Sequence, residues 1–452
     1  MPRTFFGKAG VFVLIVLLFF IPKFGFAQEP VTIRLAGDEW FLDSLTKTQM
    51  IAVFEKRTRI HVEVLHRNDR AIMSDLDRGA QSGDGLLDVI VVRHRLLGAL
   101  VQKGQVLAID SFLADPALHD ASFMPQQQLF FNWWQGLGSY ADHVYGYPFT
   151  CLTTFLCYRK DLLQDPANRR EFKGHYHRDL NPPTTWQEYT QLAEFFTRPK
   201  ENFYGTYIQG KQGLALWYEW LNLIYSFGGN ILDAHRGWEY GDIVVNSPQN
   251  VAATEQYVKE IAFSPPDTLN FGWNEAQNSL QQGRVFMGLL WSDQAQFLED
   301  PAVSKVAGRI GYSLIPSASG KPFSQLEGLT YLIPEESPHR REAYRFLEWA
   351  MSAQVQDQQT LKGSLSGRKS TYDNSEVKEL PYTSTFLASV PIAIEKPTIP
   401  ESAQMIEASE RRVSEIVSGH STAQKGLDNL ALDMQRILGE KARLRYEVKA
   451  TQ

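Results

Sequence analysis

The first hundred residues alternate between short apolar runs and segments with apolar side chains at helical spacing. Residues 31–36, "VTIRLA", and 60–66, "IHVEVLH", alternate in polarity, as strands with one buried face do. Between them, "SLTKTQMIAVFEKRT" repeats apolar residues every three or four positions, which predicts a helix. Residues 86–92, "LLDVIVV", are mainly apolar, as in a buried parallel strand. This order of strands and helices predicts a doubly wound α/β unit.

The second half continues the α/β pattern with clear signals for helix starts. Thr184 or Thr185 can cap the helix in "PPTTWQEYTQLAEFF", where Glu188 can complete a capping box. Ser247 can cap another helix, which has Pro248 in its first turn. The apolar segments "GRVFMGLLW", "GRIGYSLIP" and "LTYLIP" predict strands, and the C-terminal segment is predicted to be helical.

A turn signal followed by a long apolar run, "YGYPFTCLTTFLCYRKDLL" at 145–163, contains both cysteines of the chain, Cys151 and Cys157. Residues six positions apart in one strand are about 20 Å apart, whereas a disulfide needs Cα atoms within about 7 Å. The same separation excludes a shared metal ion. We therefore expect two buried, unpaired cysteines that act as small apolar side chains.

The N-terminus has the features of a secretory signal peptide. Arg3 and Lys8 precede an apolar run at 11–21, and residues 25–27, "GFA", offer small side chains to a signal peptidase. The run is shorter than the roughly 20 residues of a membrane span, although an uncleaved anchor is the alternative. We expect cleavage after Ala27 and a soluble mature protein outside the cytoplasm.

Length and charge limit the classes of function. Removing 27 of the 452 residues leaves a chain too long for a single core, which predicts two lobes. The formal net charge is −6 and no basic block occurs, so nucleic-acid binding is not expected.

Motifs of serine hydrolases, zinc hydrolases, P-loop proteins and dinucleotide-binding proteins do not occur in the sequence. We expect no catalytic residues, no metal and no cofactor, with a two-carboxylate glycosidase as the alternative.

Candidate ligand-binding residues follow the predicted strands, since ligands of doubly wound sheets bind beyond the carboxyl ends of strands. This rule selects Asp38, Glu39 and Trp40 after the first strand, and Arg93 and Arg95 after the third. Aromatic residues reach 12% of the chain, and their flat apolar faces can stack on ring-shaped ligands.

Aromatic residues beside polar residues add further candidates in the second half. Trp291 and Asp293 follow an apolar strand, where an indole could stack on a sugar ring and a carboxylate could hold its hydroxyls, with a structural tryptophan under a loop as the alternative. Trp217 and Tyr218 lie on a predicted helix, with core packing as the alternative.

Three polar features allow both a binding and a structural interpretation. Glu327 precedes a glycine where the backbone changes direction, and Arg368 is either a donor facing a cleft or a surface charge. The histidines of "HYH" at 175–177 lack the spacing of a known zinc or di-iron site, so we expect no metal there.

Taken in order, several phrases resemble those of one family. They are "YGYPF" before "YRKDLL", "PPTTWQEYTQLAEFF", "YSFGGNILD", "NSPQNVAATEQYV", "LQQGRVFMGLLW", "SKVAGRIGYSLIP" and "GLTYLIPEES". Over essentially the whole mature chain, their order and spacing are similar to those of the extracellular solute-binding proteins of bacterial ABC importers. That group includes maltodextrin-binding and other sugar-binding proteins.

The resemblance implies a periplasmic binding protein-like fold of type II. Two doubly wound α/β lobes are then joined by crossover strands, with the ligand in the cleft between them. The first crossover would be "PFTCLTTF", the second "SQLEGLT", and a third would fall near 376–381. The implied division is a signal peptide at 1–27, an N-terminal lobe at 28–149 and 327–378, and a C-terminal lobe at 150–326 and 379–452.

The resemblance also implies roles for single residues. Asp38 falls where the family binds a sugar hydroxyl, and Tyr218 and Trp291 fall near aromatic residues that meet the ligand. Phe149, in the implied first crossover, joins the list of ligand-binding candidates. Leu152 stands where relatives often have an acid, so the ligand need not be a maltodextrin.

The function implied is that of a periplasmic solute receptor. We expect a monomer that captures a small polar solute, a monosaccharide or oligosaccharide, by closing its two lobes. The closed form would deliver the solute to the membrane permease of an ABC transporter. A carbohydrate-active enzyme and a solute-sensing partner of a membrane receptor are the alternatives.

Overall fold

The computed structural model of the chain describes residues 1, 31–318 and 320–448. The expected signal peptide and its cleavage after Ala27 lie outside the described residues. None of the helices described is both long enough and apolar enough to cross a lipid bilayer.

The described residues form strands that are short except in the two main sheets. In chain order they are β1 (Thr32–Gly37), β2 (His61–His66), β3 (Val89–Arg93), β4 (Ser139–Tyr140), β5 (His143–Val144), β6 (Gly146–Leu152), β7 (Thr154–Arg159), β8 (Leu232–Asp233), β9 (Asp242–Ile243), β10 (Met287–Trp291), β11 (Ile310–Ser313), β12 (Ser324–Gln325), β13 (Glu327–Leu332) and β14 (Ala393–Ile394).

Helices fill most of the remaining described chain. They are α1 (Glu39–Thr46), α2 (Met50–Thr58), α3 (Asp69–Ser82), α4 (Leu97–Gln102), α5 (Asp110–Leu113), α6 (Pro125–Gln128), α7 (Phe131–Gly138), α8 (Lys160–Gln164), α9 (Pro166–Tyr176), α10 (Trp186–Phe196), α11 (Leu214–Ser226), α12 (Pro248–Lys259), α13 (Trp273–Gln281), α14 (Ala295–Glu299), α15 (Arg340–Ala350), α16 (Ala353–Thr360), α17 (Ser375–Lys378), α18 (Thr383–Ser389), α19 (Ser402–Val417) and α20 (Ala423–Leu438). Short 3₁₀ turns follow β3 at His94–Leu96 and β10 at Ser292–Gln294.

A five-stranded sheet has the order β2-β1-β3-β13-β6. The strands β2, β1 and β3 are parallel, as the alternation of strands and helices predicts, while β13 runs antiparallel to both β3 and β6. Ile33, Leu35 and Val91 are buried in one apolar cluster with side chains of the helices. Residues from the second half of the chain therefore complete a sheet that the first half begins.

A second sheet has the order β10-β7-β11, with β7 antiparallel to both neighbours. Its central strand begins two residues after β6 ends, so the apolar run at 149–158 is two strands in different sheets rather than one. Cys151 lies on β6 and Cys157 on β7, and both are buried and unpaired, as expected. Burial raises the pKa of both thiols, which keeps them protonated.

Two sheets flanked by helices and linked by crossing segments form the predicted α/β architecture. The second crossing carries β12, which pairs in parallel with β14. The stretch at 376–381 contains part of the helix α17, and the extended segment beside β12 is 393–394 instead. The chain from Val31 onward is one compact unit, and the lobe boundaries given above stay a prediction.

Local signals account for several helix ends. Thr185 caps α10 in a capping box with Glu188, and Ser247 caps α12 by accepting a hydrogen bond from the Asn250 amide. The single helix predicted after β1 is two helices, α1 and α2, because Gln49 adopts a left-handed conformation with φ 63° between them.

Gly146 gives a testable consequence of the close pairing of β6 and β13. A Cβ atom at this position would overlap the backbone carbonyl oxygen of Tyr331, so we expect Gly146→Ala to lower the free energy of unfolding by about 1–3 kcal/mol. Gly174, exposed on α9 with open space around it, is the matched control, and Gly174→Ala should raise stability by about 0.5–1 kcal/mol. Urea unfolding of both variants measures the difference. A Gly146→Ala protein as stable as the parent would contradict this account of the strand pairing.

Candidate functional site

A cavity of about 170 Å³ lies where strands of both sheets end. The strands β1, β3 and β10 end at Gly37, Arg93 and Trp291, and the residues that follow them form much of the wall. The lining residues are Asp38, Trp40, Phe41, Arg93, Leu152, Tyr218, Trp273, Asn274, Trp291, Asp293, Gln294, Glu327 and Leu329.

The structure brings together seven of the twelve residues that the sequence proposes as ligand-binding. These are Asp38, Trp40, Arg93, Tyr218, Trp291, Asp293 and Glu327. They come from distant parts of the chain. Five of them lie at or just after the carboxyl ends of β1, β3 and β10, whereas Tyr218 lies on α11 and Glu327 begins β13.

Asp38 and Trp40 form one side of the cavity at the start of α1. The Asp38 carboxylate caps the helix by accepting a hydrogen bond of 3.1 Å from the backbone amide of Trp40. The Trp40 side chain is 49% exposed, and its ring centroid lies 5.1 Å from that of Phe297 on α14. Since α1 follows a strand of one sheet and α14 a strand of the other, this pair of rings connects both halves of the cavity wall.

Arg93 supplies a fixed positive charge. Its guanidinium donates to Asp69 Oδ2 at 3.1 Å and lies 5.4 Å from the centroid of the Phe41 ring. Burial alone would lower the pKa of Arg93, but the surrounding groups, of which Asp69 has the largest effect, together outweigh burial and raise it. Arg93 is therefore a charged hydrogen-bond donor, and its ion pair with Asp69 fixes the position of its guanidinium.

Glu327 is a buried carboxylate with three protein donors. Its Oε2 accepts a hydrogen bond of 2.5 Å from the Tyr218 hydroxyl and forms an ion pair with the buried ammonium of Lys396. Its Oε1 accepts from the Gly328 amide at 2.9 Å. Burial alone would raise the pKa of Glu327, but the charge of Lys396 reverses the effect and lowers the pKa to about 2. Glu327 therefore stays ionised.

Asp293 and Gln294 present polar atoms that the protein does not satisfy. Asp293 Oδ1, Gln294 Oε1 and Trp273 Nε1 are buried and have no hydrogen-bond partner among the described residues. Burial raises the pKa of Asp293 to about 6, although a contact with Trp40 opposes the rise. A buried polar atom without a partner costs roughly 1–3 kcal/mol. All three atoms belong to residues that line the cavity.

Aromatic rings form the apolar part of the wall. Tyr218 and Trp291 meet edge to face with ring centroids 5.2 Å apart, and Trp273 lines the same space. Flat apolar faces beside a few oriented polar groups are typical of small-molecule sites. The arrangement suits a ligand that has C–H faces as well as hydroxyl groups.

Glu39 and Arg95 neighbour the cavity without lining it. Glu39 is exposed in the first turn of α1, one residue beyond Asp38. Arg95 donates to Asp69 Oδ2 at 2.8 Å, the same oxygen that receives Arg93. Its role in the structure is to help hold Asp69.

Phe149, Trp217 and Arg368 lie away from the cavity. Phe149 is buried on β6 with its ring 5.1 Å from that of Tyr331. Trp217 is buried in the core, because it lies about 100° around α11 from Tyr218. Arg368 donates to the Met351 carbonyl at 2.9 Å and faces a different surface depression.

Several lining residues were not selected from the sequence. These are Phe41, Leu152, Trp273, Asn274, Gln294 and Leu329. Leu152 was noted only as a replacement for an acid, and Trp273 begins a helix without any apolar strand before it. Among the described residues, no group of three or more His, Cys, Asp or Glu side chains is placed to hold a metal ion.

Comparison with known proteins gives consistent matches. The family model described as bacterial extracellular solute-binding protein matches residues 41–357. The mannitol-binding protein of Pseudomonas aeruginosa is 25% identical over 456 aligned positions, which cover 94% of this chain and 96% of that protein.

Solved structures share the fold at lower identity. An ABC transporter solute-binding protein from Agrobacterium radiobacter K84 in complex with ribitol superposes with a TM-score of 0.77, 23% identity, and coverage of 90% of this chain and 99% of that chain. The maltose-bound MalE3 of T. maritima gives a TM-score of 0.74 at 20% identity, with coverage of 90% and 100%. The family model matches more than half of the chain, and the chain therefore belongs to the bacterial extracellular solute-binding protein family.

Proposed function

We propose that the protein is the periplasmic solute-binding component of an ABC importer and that its solute is a small polyhydroxy compound, a linear polyol or a small sugar. The observation that carries the proposal is the pairing of aromatic walls with buried polar atoms that lack protein partners. Asp293 Oδ1 and Gln294 Oε1 are acceptors, and Trp273 Nε1 is a donor. A polyol hydroxyl can both donate and accept, so the hydroxyls of one such molecule suit both the two acceptors and the donor.

The charges of the cavity support a neutral, hydroxyl-rich solute. Two of the charged side chains have partners of opposite sign, since Arg93 pairs with Asp69 and Glu327 with Lys396. Hydroxyl groups can bond to these side chains without disturbing either ion pair. Binding of this kind needs no chemical step, which agrees with a receptor rather than an enzyme.

The relatives support the same class of solute. One is described as binding mannitol, and two related folds were solved with ribitol and with maltose. The cavity volume of about 170 Å³ favours the smaller of these solutes over a long oligosaccharide. Transport, rather than sensing, is proposed because the solved relative with ribitol is an ABC transporter protein. The expected partner is the membrane permease, and the expected state is a monomer.

Binding is tested by titrating the mature protein with ribitol, mannitol and maltose and recording heat and tryptophan emission. We expect saturable binding of at least one polyol, and recovery of that solute unchanged by mass spectrometry.

Trp291→Ala should weaken binding about tenfold or more, because the solute loses an aromatic face. Trp238→Ala is the matched control, since Trp238 is half-buried beside Tyr140 and Arg236 outside the cavity. Equal losses in both variants, or no binding of any of the three solutes, would contradict the proposal.

The affinity should depend on pH through Asp293. Its pKa of about 6 means that the carboxylate gains a proton as the pH falls below 6, and a solute hydroxyl then loses a charged acceptor. We expect constant affinity above pH 7 and a loss of up to about tenfold per pH unit below 6. Glu327, with a pKa of about 2, stays ionised throughout this range. Calorimetric titrations from pH 8 to 5 test this, and Asp293→Asn should abolish the dependence. A profile that is unchanged in Asp293→Asn would assign the effect to another group.

A further inference from the structure

We propose that Lys396 is a positioning residue of the solute site: its buried ammonium fixes the Glu327 carboxylate as a permanent hydrogen-bond acceptor in the cavity wall. This inference rests on the proposed function, because it assigns Lys396 a role in recognising the solute. Lys396 itself does not line the cavity, so it would act only through Glu327.

Lys396 is placed where a lysine is costly. Its side chain is fully buried, and a buried ammonium is unfavourable unless it is paired and hydrogen-bonded. The ammonium forms the ion pair with Glu327, and it also donates to the Leu326 carbonyl at 3.4 Å. A further contact places it 5.7 Å from the centroid of the Tyr218 ring. Glu327 and Tyr218 line the cavity, and Leu326 directly precedes Glu327 in sequence.

The contacts around Glu327 determine how its carboxylate is oriented. A carboxylate has about four lone-pair sites. Lys396, the Tyr218 hydroxyl and the Gly328 amide use three of them. Burial raises the pKa of Tyr218 well above 10, so this hydroxyl remains a donor. The remaining acceptor capacity is available on the carboxylate that lines the cavity.

Lys396 is the group that lowers the pKa of Glu327 most. The other groups that face this pair are Tyr218, His94, Arg95 and Glu395. Burial lowers the pKa of His94 to about 3, so this imidazole is neutral at the pH of the periplasm. Arg95 is committed to Asp69.

The ion pair also joins the second crossing to the segment that follows β14. Glu327 begins β13 directly after the second crossing, and Lys396 follows β14, which pairs with β12 of that crossing. The Leu326 amide donates to the Ile394 carbonyl at 3.0 Å beside the pair. A solute hydroxyl bound to Glu327 would therefore lie where the second crossing meets the segment that follows β14.

The test measures the titration of Glu327 directly and the affinity for ribitol separately. Carbon-13 NMR of glutamate-labelled protein follows the Glu327 carboxyl in the wild type, Lys396→Met and Lys396→Arg, with Glu327→Gln for assignment. We expect Lys396→Met to raise the pKa of Glu327 by about 1–3 units. The carboxylate is then still ionised at pH 8, but it lacks the ammonium that orients it, so ribitol binding at pH 8 should weaken about tenfold or more. Lys396→Arg keeps the charge and should restore the low pKa. Lys441→Met, which removes the exposed partner of Glu401, is the control and should change neither quantity.

Each outcome decides the proposal. An unchanged Glu327 pKa in Lys396→Met would overturn it. If Lys396→Met does not fold, the double variant Lys396→Met, Glu327→Gln removes both charges, and it should bind ribitol as weakly as Glu327→Gln alone. Binding more than about tenfold weaker than in Glu327→Gln would show an independent role for Lys396 and overturn the proposal. If the wild type binds no polyol, the proposed function fails, while the NMR titration still decides whether Lys396 sets the state of Glu327.

Discussion

The passage of the chain from one sheet to the other at Thr153 is the constraint on which the site depends. This buried residue separates β6 from β7, and its backbone exchanges hydrogen bonds with Ser292, the residue before Asp293. Its hydroxyl bonds to that of Ser324 at the second crossing. These hydrogen bonds hold the two crossings and the turn after β10 together. The cavity forms beside them because the residues that follow strands of both sheets are brought to one place.

The pKa values of two carboxyl groups in this cavity are shifted in opposite directions, because their neighbours differ in charge. Glu327 and Asp293 are both deprived of water, which by itself raises the pKa of a carboxyl group. Glu327 has the ammonium of Lys396 against it, which lowers its pKa to about 2. At Asp293 burial outweighs the hydrogen bonds and the Arg93 charge that oppose it, so the pKa rises to about 6. Glu327 is therefore a permanent anion in the cavity wall, whereas the charge of Asp293 depends on the pH and on the bound solute.

The positions of the site residues were predictable only where a local rule relates the place of a residue in the sequence to its place in the fold. Asp38 follows β1 and Arg93 ends β3, and the ends of such parallel strands meet at one edge of a sheet, so their proximity to a ligand could be inferred. The helix α11 offered no such rule. Trp217 and Tyr218 are adjacent and equally aromatic, and only the packing of α11 decides that Tyr218 faces the cavity. Lys396 gave no signal, because its burial results from segments far apart in the chain.

The sequence by itself determined the class of fold and many of the strands and helices, since hydrophobic periodicity and capping residues act over a few neighbouring positions. The family was indicated by the resemblance of ordered phrases to those of known proteins. It also indicated two unpaired cysteines, although for the wrong reason, because the apolar run that contains them divides between two sheets. The tertiary structure alone decided which aromatic faces line the cavity, which polar atoms lack partners there, and which carboxylate is paired with a lysine. These properties depend on burial and on distances between remote residues, and no pattern of neighbouring residues encodes them.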